Sequence, residues 1–303
     1  MFEGKTVLIT GGTGSLGHAL VRRFFDKFIA KKVIVYSRDE YKQSIMAEKF
    51  SDYDKLRFFI GDIRDKSRLI RALQGVDYVI HAAALKRVPL LEYNPTEAVK
   101  TNVLGTMNVV EACFEANVST AVLVSTDKAV NPVNLYGATK LTAEKIFTAA
   151  NVFNKTRFTS VRYGNVIGSR GSVIPFFQEL AANEGTKIFP ITDKEMTRFW
   201  ITLDEAVNLV FFALDKADYS GKIIVPYIPS MKITDVATAI KDGIGFYYTG
   251  RRAGEKLHET LIAEDETNVV LRYPDGKIDA NVKNYRSDNN TLWMTAEELR
   301  EKL

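Results

Sequence analysis

Cysteine is almost absent from this chain of 303 residues: Cys113 stands alone, so neither an intramolecular disulfide nor a cysteine zinc site can form. Histidine is scarce too. His18, His81 and His258 are scattered, which speaks against a histidine-rich centre, and no metal is expected. No apolar run comes near the ~20 residues of a membrane span. The opening residues, Met1-Phe2-Glu3-Gly4-Lys5, lead straight into a short apolar stretch, without the longer apolar core and small-residue cleavage site of a signal peptide. A soluble cytoplasmic protein with no membrane partner is the expectation. Charge of one sign is also lacking. Lys plus Arg less Asp plus Glu is 41 − 37 = +4, too little to imply nucleic acid, though it suits an anionic small molecule. With 19 Gly, 8 Pro and 46% apolar residues, the composition is ordinary and globular, which excludes collagen-like, low-complexity and wholly disordered chains.

What is present is a rhythm. Short runs rich in Val, Ile, Phe and Tyr, at 6–10, 32–37, 56–62, 78–84, 121–126 and 157–163, alternate with helical patterns at 15–28, 40–50, 66–73, 96–116 and 136–152. The short runs read as buried parallel strands. Their alternation with helices predicts right-handed βαβ units and an α/β class, a Rossmann-like doubly wound parallel sheet. After about Gly164 the rhythm breaks, with glycine and proline at Gly164, Gly168, Gly171 and Pro175. At about 100–200 residues per domain the length allows two. The expected division is 1–164, a dinucleotide-binding domain that carries the Tyr136 helix, and 165–303, a smaller substrate-binding lobe partly interleaved with it. The stretch Glu264–Asn290 is polar and shows no clear pattern.

The first strand runs into Gly11-Gly12-Thr13-Gly14-Ser15-Leu16-Gly17. Strand, tight glycine turn and helix start in this order let backbone approach a pyrophosphate and aim free N–H groups and a positive dipole end at it. The spacing is Gly-x-x-Gly-x-x-Gly; an ordinary glycine-rich βα turn is the alternative. The second strand ends in Ser37-Arg38-Asp39, where an NAD enzyme usually places an acidic residue on the ribose 2′-hydroxyl. A hydroxyl and a guanidinium, with Lys42 nearby, suit a 2′-phosphate and favour NADP; a solvated Arg38 and a helix-capping Asp39 are the bland alternative. Asp62 and Ile63, after the third strand, are placed to meet the adenine, unless Asp62 merely caps a helix.

Tyr136 and Lys140 stand four residues apart, on one face of a helix. A cation near the phenol lowers its pKa and lets Tyr136 take a proton from a substrate hydroxyl. A surface Tyr beside a surface Lys is the alternative. Context favours chemistry: the pair follows a fifth strand ending in Ser125-Thr126-Asp127-Lys128, at the carboxyl edge where open α/β sheets bind ligands.

Together the glycine turn, His81-Ala82-Ala83-Ala84, Asn102 and Tyr136-x-x-x-Lys140 resemble the extended short-chain dehydrogenase/reductase superfamily. The runs 125–140, 84–89, 164–173, 196–200, 229–233 and 254–259 are similar to those of UDP-N-acetylglucosamine 4,6-dehydratases, and the resemblance spans roughly 1–265. Tyr at 136 resembles the soluble, configuration-inverting branch that feeds pseudaminic-acid-type sugars. Ala253, where the family usually has Pro, and Arg87, where an uncharged polar residue is usual, depart from the pattern.

The resemblance implies an NADP-dependent hydro-lyase acting on UDP-N-acetylglucosamine. In it Tyr136, with Lys140, takes the C4 hydroxyl proton. Thr126 bonds the C4 oxygen, Lys128 is the base at C5 and Asp127 the acid for the departing C6 hydroxyl. Ala82 and Ala83 join the cofactor site with Gly11, Thr13, Gly14, Ser15, Leu16 and Gly17. Lys86 is assigned to the sugar or its N-acetyl side, Asn165 to the nucleotide phosphates or sugar, Arg198 and Arg252 to the pyrophosphate, and Glu255 to the uridine ribose; a surface loop lysine, a turn former beside Gly164 and surface ion pairs are the alternatives. A homo-oligomer, of hexamer size, is expected. A nucleotide-sugar 4-epimerase is the enzymatic alternative; it needs Tyr136 and Lys140 but no Asp127-Lys128 pair. A non-catalytic NADP sensor would have no reason to keep these five residues together.

Overall fold

In the computed structural model, which describes every residue except Met1 and Ile29, the predicted alternation is realised. The first half runs β1 (Thr6–Thr10), α1 (Ser15–Lys27), β2 (Lys32–Ser37), α2 (Glu40–Lys49), β3 (Leu56–Ile60), α3 (Lys66–Leu73) and β4 (Tyr78–His81). It continues through α4 (Val88–Tyr93), α5 (Pro95–Ala98), α6 (Gly105–Glu115), β5 (Thr120–Val124), α7 (Leu135–Ala150) and β6 (Arg157–Val161). The nine-stranded sheet has the order Ile278–Asp279, Val269–Arg272, Ile223–Pro226, β6, β5, β4, β1, β2, β3. All pairs are parallel except the outermost, where Ile278–Asp279 runs antiparallel to Val269–Arg272. The order reverses at β1, the switch point where doubly wound sheets bind ligands.

Burial on both faces explains the unbroken apolar strands. Val7, Ile9, Val33 and Val35 pack under Leu20, Val21 and Phe24 of α1 and against Val207 and Val210 of the helix Leu203–Asp215. Leu8, Ile34 and Tyr36 face the other way, against Leu69, Val109, Val110 and Phe147. This is the period-2 alternation of a strand. The helix at Leu203 starts on a capping box, in which the Thr202 hydroxyl accepts from Glu205 N–H and the Glu205 carboxylate accepts from Thr202 N–H. A third apolar cluster, with Phe177, Phe189, Trp200, Met231 and Val236, gathers residues beyond 164.

Two differences from the sequence reading bear on the site. The helical stretch expected at 96–116 is interrupted by π-helix over Val99–Leu104. That wide turn carries Asn102, whose amide donates to Leu85 O (2.9 Å) and whose carbonyl accepts from Leu85 N–H (2.8 Å). The π segment thus pins the loop that carries Lys86. The polar stretch 264–290, unassigned from sequence, supplies the buried strand Val269–Arg272; four residues are too few for a periodic signal.

Candidate active site

A cleft of about 1400 Å³ lies along the carboxyl ends of the strands, large enough for a dinucleotide and a second nucleotide. Of the residues assigned from sequence to catalysis, cofactor or substrate, all line it except Asp127, which is fully buried behind its neighbours; His81 and Asn102, which carried the resemblance, are buried beneath it.

At the switch point, Gly11 has φ +65, and a Cβ there would sit 2.8 Å from Ala83 Cα. A side chain is excluded on both counts, so the turn can press against the β4 loop. Gly14 precedes α1 and brings no side chain to cap it, which leaves the first-turn residues Ser15, Leu16 and Gly17 on the cleft wall. Beneath them Thr10 accepts from Ala83 N–H and bonds His81 Nδ1 at 2.8 Å, while His81 Nε2 meets Thr106 Oγ1 at 3.0 Å. Thr106 donates to Asn102 O, so it accepts from His81, which is therefore the neutral Nε2–H tautomer. Burial, then the Lys140 charge, pulls its pKa down to about 3.

At the β2 end, Ser37 is buried and receives Gln43 Nε2, whereas the Arg38 guanidinium is half-exposed and 3.6 Å from Asp62. Asp39 caps α2 and pairs with Lys42 at 2.7 Å. Asp62 also accepts from Arg64; burial opposes its ionisation, but these cations hold its carboxyl below the usual range. The cleft fits a dinucleotide on a further observation. Ser125 Oγ and Thr101 Oγ1 are buried, line the cleft and have no hydrogen-bond partner among the described residues. Neither was given a role from sequence: Thr101 is an isolated hydroxyl with no pattern, and Ser125 stands inside the run Ser125–Lys128 without being singled out from it.

The candidate catalytic residues gather at the end of β5. Thr126 opens a single 3-10 turn, Asp127–Ala129, and α7 begins beside it, capped by the Asn134 side chain on Gly137 N–H (2.8 Å). Gly137 has to be glycine, because a Cβ there would lie 2.1 Å from Lys128 O. This close approach sets Tyr136 against the Thr126–Lys128 turn. Asp127 Oδ1 accepts from both Thr126 Oγ1 and Lys128 Nζ, each at 3.0 Å. Burial pushes the Asp127 carboxyl up, with Glu259 adding to it. Burial disfavours the Lys128 cation, but Asp127 and Glu259 outweigh that and raise its pKa. Burial also pushes Tyr136 up to about 12, and the cation that draws it back is Lys128, helped by a Thr126 hydrogen bond.

Lys140 lies one turn further along α7. It shares a helix face with Tyr136, yet its Nζ donates to Val124 O at 2.7 Å, and burial brings its pKa down to about 8 against the pull of Glu144. Glu144 in turn is held by fully buried Arg162 at 2.7 Å, which also grips Glu266.

On the substrate side, Asn165 begins a short strand, Asn165–Val166. Arg198 is buried, and its guanidinium donates to the carbonyls of Thr197, Leu257 and Lys256. Exposed Arg252 and half-buried Glu255 form a loose pair at 3.8 Å, and Lys86 stands among the cations Arg170, Arg87 and Lys128. Besides Ser125 and Thr101, Arg170 and Glu259 in the cleft were missed. Arg170 donates to Thr13 O at 2.9 Å, and buried Glu259 lies 3.4 Å from Lys128. Both stand inside the runs 164–173 and 254–259 that carried the resemblance, which was the available signal.

Comparison with known proteins agrees with this geometry. A family model described as "Polysaccharide biosynthesis protein" matches residues 7–278. A curated Campylobacter jejuni relative, named UDP-N-acetylglucosamine 4,6-dehydratase (inverting), is 47% identical, with 99% of this chain and 98% of its own length covered. A Rickettsia canadensis relative named UDP-glucose 4-epimerase is 43% identical, over 88% of this chain and 80% of its own. Among solved structures, Pen from Bacillus thuringiensis superposes with a TM-score of 0.90 at 39% identity, covering 99% of this chain and 97% of that one.

Proposed function

The chain belongs to the polysaccharide biosynthesis protein family, and we propose on that footing that it is an inverting UDP-N-acetylglucosamine 4,6-dehydratase. The observation that carries the reading is the hydrogen-bonded Asp127–Lys128 pair beside Tyr136, an acid and a base where elimination needs both. The enzyme uses a nicotinamide dinucleotide. The 11–17 turn holds its pyrophosphate, Asp62 and Ile63 its adenine side, and Ser37, Arg38 and Lys42 select NADP through the 2′-phosphate. Bound there, the cofactor supplies a reversible two-electron store, so that water is lost from the sugar without net oxidation.

Tyr136 takes the C4 hydroxyl proton as that carbon becomes a ketone, and Thr126 bonds the oxygen. The ketone acidifies the C5 hydrogen, which Lys128 removes while the C6 hydroxyl leaves as water. Lys128 must be a neutral amine for this. The resting ion pair and the reactive pair, amine plus carboxylic acid, hold the same single proton, so transfer across the 3.0 Å bond to Asp127 converts one into the other. The raised Asp127 pKa favours that transfer, and the raised Lys128 pKa, set by Asp127 and Glu259, opposes it and keeps the ion pair as the resting form. Because Asp127 is buried, its proton reaches the cleft through Thr126 and Lys128, the two groups on its Oδ1. Return of a proton to C5 on the opposite face gives inversion.

Lys86, Asn165, Arg198, Arg252 and Glu255 hold the nucleotide sugar, with Arg198 acting mainly by fixing the 256–259 turn, since its donors are engaged there. Most of these contacts come from residues 165–303, a lobe interleaved with the first domain, to whose sheet it lends Ile223–Pro226, Val269–Arg272 and Ile278–Asp279. A cytoplasmic homo-oligomer making precursors of pseudaminic-acid-type sugars completes the proposal; exposed Tyr93, Val99, Leu104 and Met107 support contact between copies. The Rickettsia relative favours a second reading, a 4-epimerase. NMR of the product formed from UDP-N-acetylglucosamine separates them: a 6-deoxy-4-keto sugar supports the dehydratase, a 4-epimer the alternative.

A further inference from the structure

Resting on the reading of Lys128 as the base, we propose that Glu259 is a positioning residue: it holds the Lys128 amine beside Asp127 and its charge sets the pH window in which the pair works. Glu259 is 3% exposed, yet three cations converge on it. Lys128 Nζ and Arg198 Nε approach Oε1 at 3.4 and 3.8 Å, and Lys256 Nζ approaches Oε2 at 3.6 Å. A carboxylate this far from water persists only where such charges compensate its lost hydration.

Of the three cations, Arg198 and Lys256 are anchored without Glu259. Arg198 donates to three carbonyls, and Lys256 donates to Val130 O. Lys128 has no such anchor among the described residues; its ammonium meets only Asp127 and Glu259. The main chain of Glu259 is itself fixed, since its N–H donates to Ser287 Oγ at 3.0 Å. Glu259 therefore acts as a rigid second post for an amine that has no other anchor among the described residues.

The two carboxylates on Lys128 are pushed in opposite directions. Burial raises Asp127, and Glu259 reinforces this. Burial also opposes ionisation of Glu259, but Lys128, Arg198 and Lys256 overcome it and hold that carboxyl low. Asp127 is thus the partner that exchanges a proton with Lys128, and Glu259 the one that stays charged. Around them Tyr136, Lys86, Arg198 and Lys256 complete the ionisable groups facing Lys128.

The test uses the full-length protein carrying its cofactor. In Glu259→Gln a negative charge is lost beside the pair, so the pair binds its protons less tightly. The acid limb of the kcat profile should move down by about one pH unit, and kcat should fall about tenfold while KM changes less than about threefold. Independently of turnover, the ε-carbon NMR signal of Lys128, assigned by its loss in Lys128→Arg, should begin to titrate at lower pH. Lys256→Met removes a positive charge and should move both readouts upward, which keeps the test standing if Glu259→Gln does not fold. Glu259→Asp should keep the wild-type limb at a reduced rate. Unchanged limbs and Lys128 titration in the charge variants, or a change confined to KM, would overturn the proposal. Wild type that makes no dehydrated sugar would instead overturn the dehydratase reading, leaving the Lys128 titration to judge the clamp.

Discussion

Arg170 donates from Nη2 to the main-chain carbonyl of Thr13 at 2.9 Å, joining residues 157 apart in sequence across the cofactor end of the cleft. The bond ties the 168–172 loop to the glycine turn and brings a permanent cation beside the phosphate cradle. Arg170→Ala should raise the dissociation constant for the dinucleotide about tenfold or more, chiefly through faster release, as read by displacement fluorescence. Unaltered release would limit the contact to loop packing.

Arg38 tests cofactor choice. Its half-exposed guanidinium is free to turn from Asp62, 3.6 Å away, towards a 2′-phosphate. Arg38→Ala should weaken NADP about ten- to a hundredfold and NAD hardly at all, by calorimetry. Equal loss for both would remove Arg38 from 2′-phosphate recognition.

Lys128→Ala and Tyr136→Phe separate the two halves of the reaction. Each should lower product formation by roughly 10²–10⁴-fold. Lys128→Ala should still oxidise C4 and so show reduced cofactor by absorbance, whereas Tyr136→Phe should show none. Cofactor binding should survive in both. Near-normal turnover by Lys128→Ala would take the base role away from it.

Much of this site was legible in the sequence because its parts lie in short contiguous runs. The glycine turn, Thr126-Asp127-Lys128 and the Tyr136 helix each declare themselves locally, and strand alternation located them at one sheet edge. Predicted strands overran at 61–62, 82–84, 125–126 and 162–163; all of these residues except Arg162 leave the sheet to line the cleft. What was illegible is long-range. Nothing local says that Glu259 lies beside Lys128, that Arg170 reaches Thr13, or that Lys140 donates to Val124 O. The burial of Asp127 was equally hidden, since it follows from packing on both sides of the β5 turn.

His81 makes stability depend on pH. Its folded pKa is about 3 against about 6.5 unfolded, so below pH 6.5 the unfolded chain binds the proton and the folded one does not. Stability from this group is complete above pH 6.5 and falls as pH drops towards 3. His81→Gln should therefore flatten the pH dependence of urea unfolding between pH 6 and 4 by about 1 kcal/mol per pH unit. An identical slope in both proteins would mean that His81 titrates normally.

The account's central claim is elimination across C5 and C6 after oxidation at C4. The most direct measurement is NMR of the product formed from UDP-N-acetylglucosamine bearing deuterium at C4, with a parallel reaction in deuterated water. The account predicts a 6-deoxy-4-keto sugar with the L-arabino configuration, the C4 label transferred to C6, and solvent deuterium at C5. A C4 epimer that retains its C6 hydroxyl, or a product with no solvent label at C5, would contradict it.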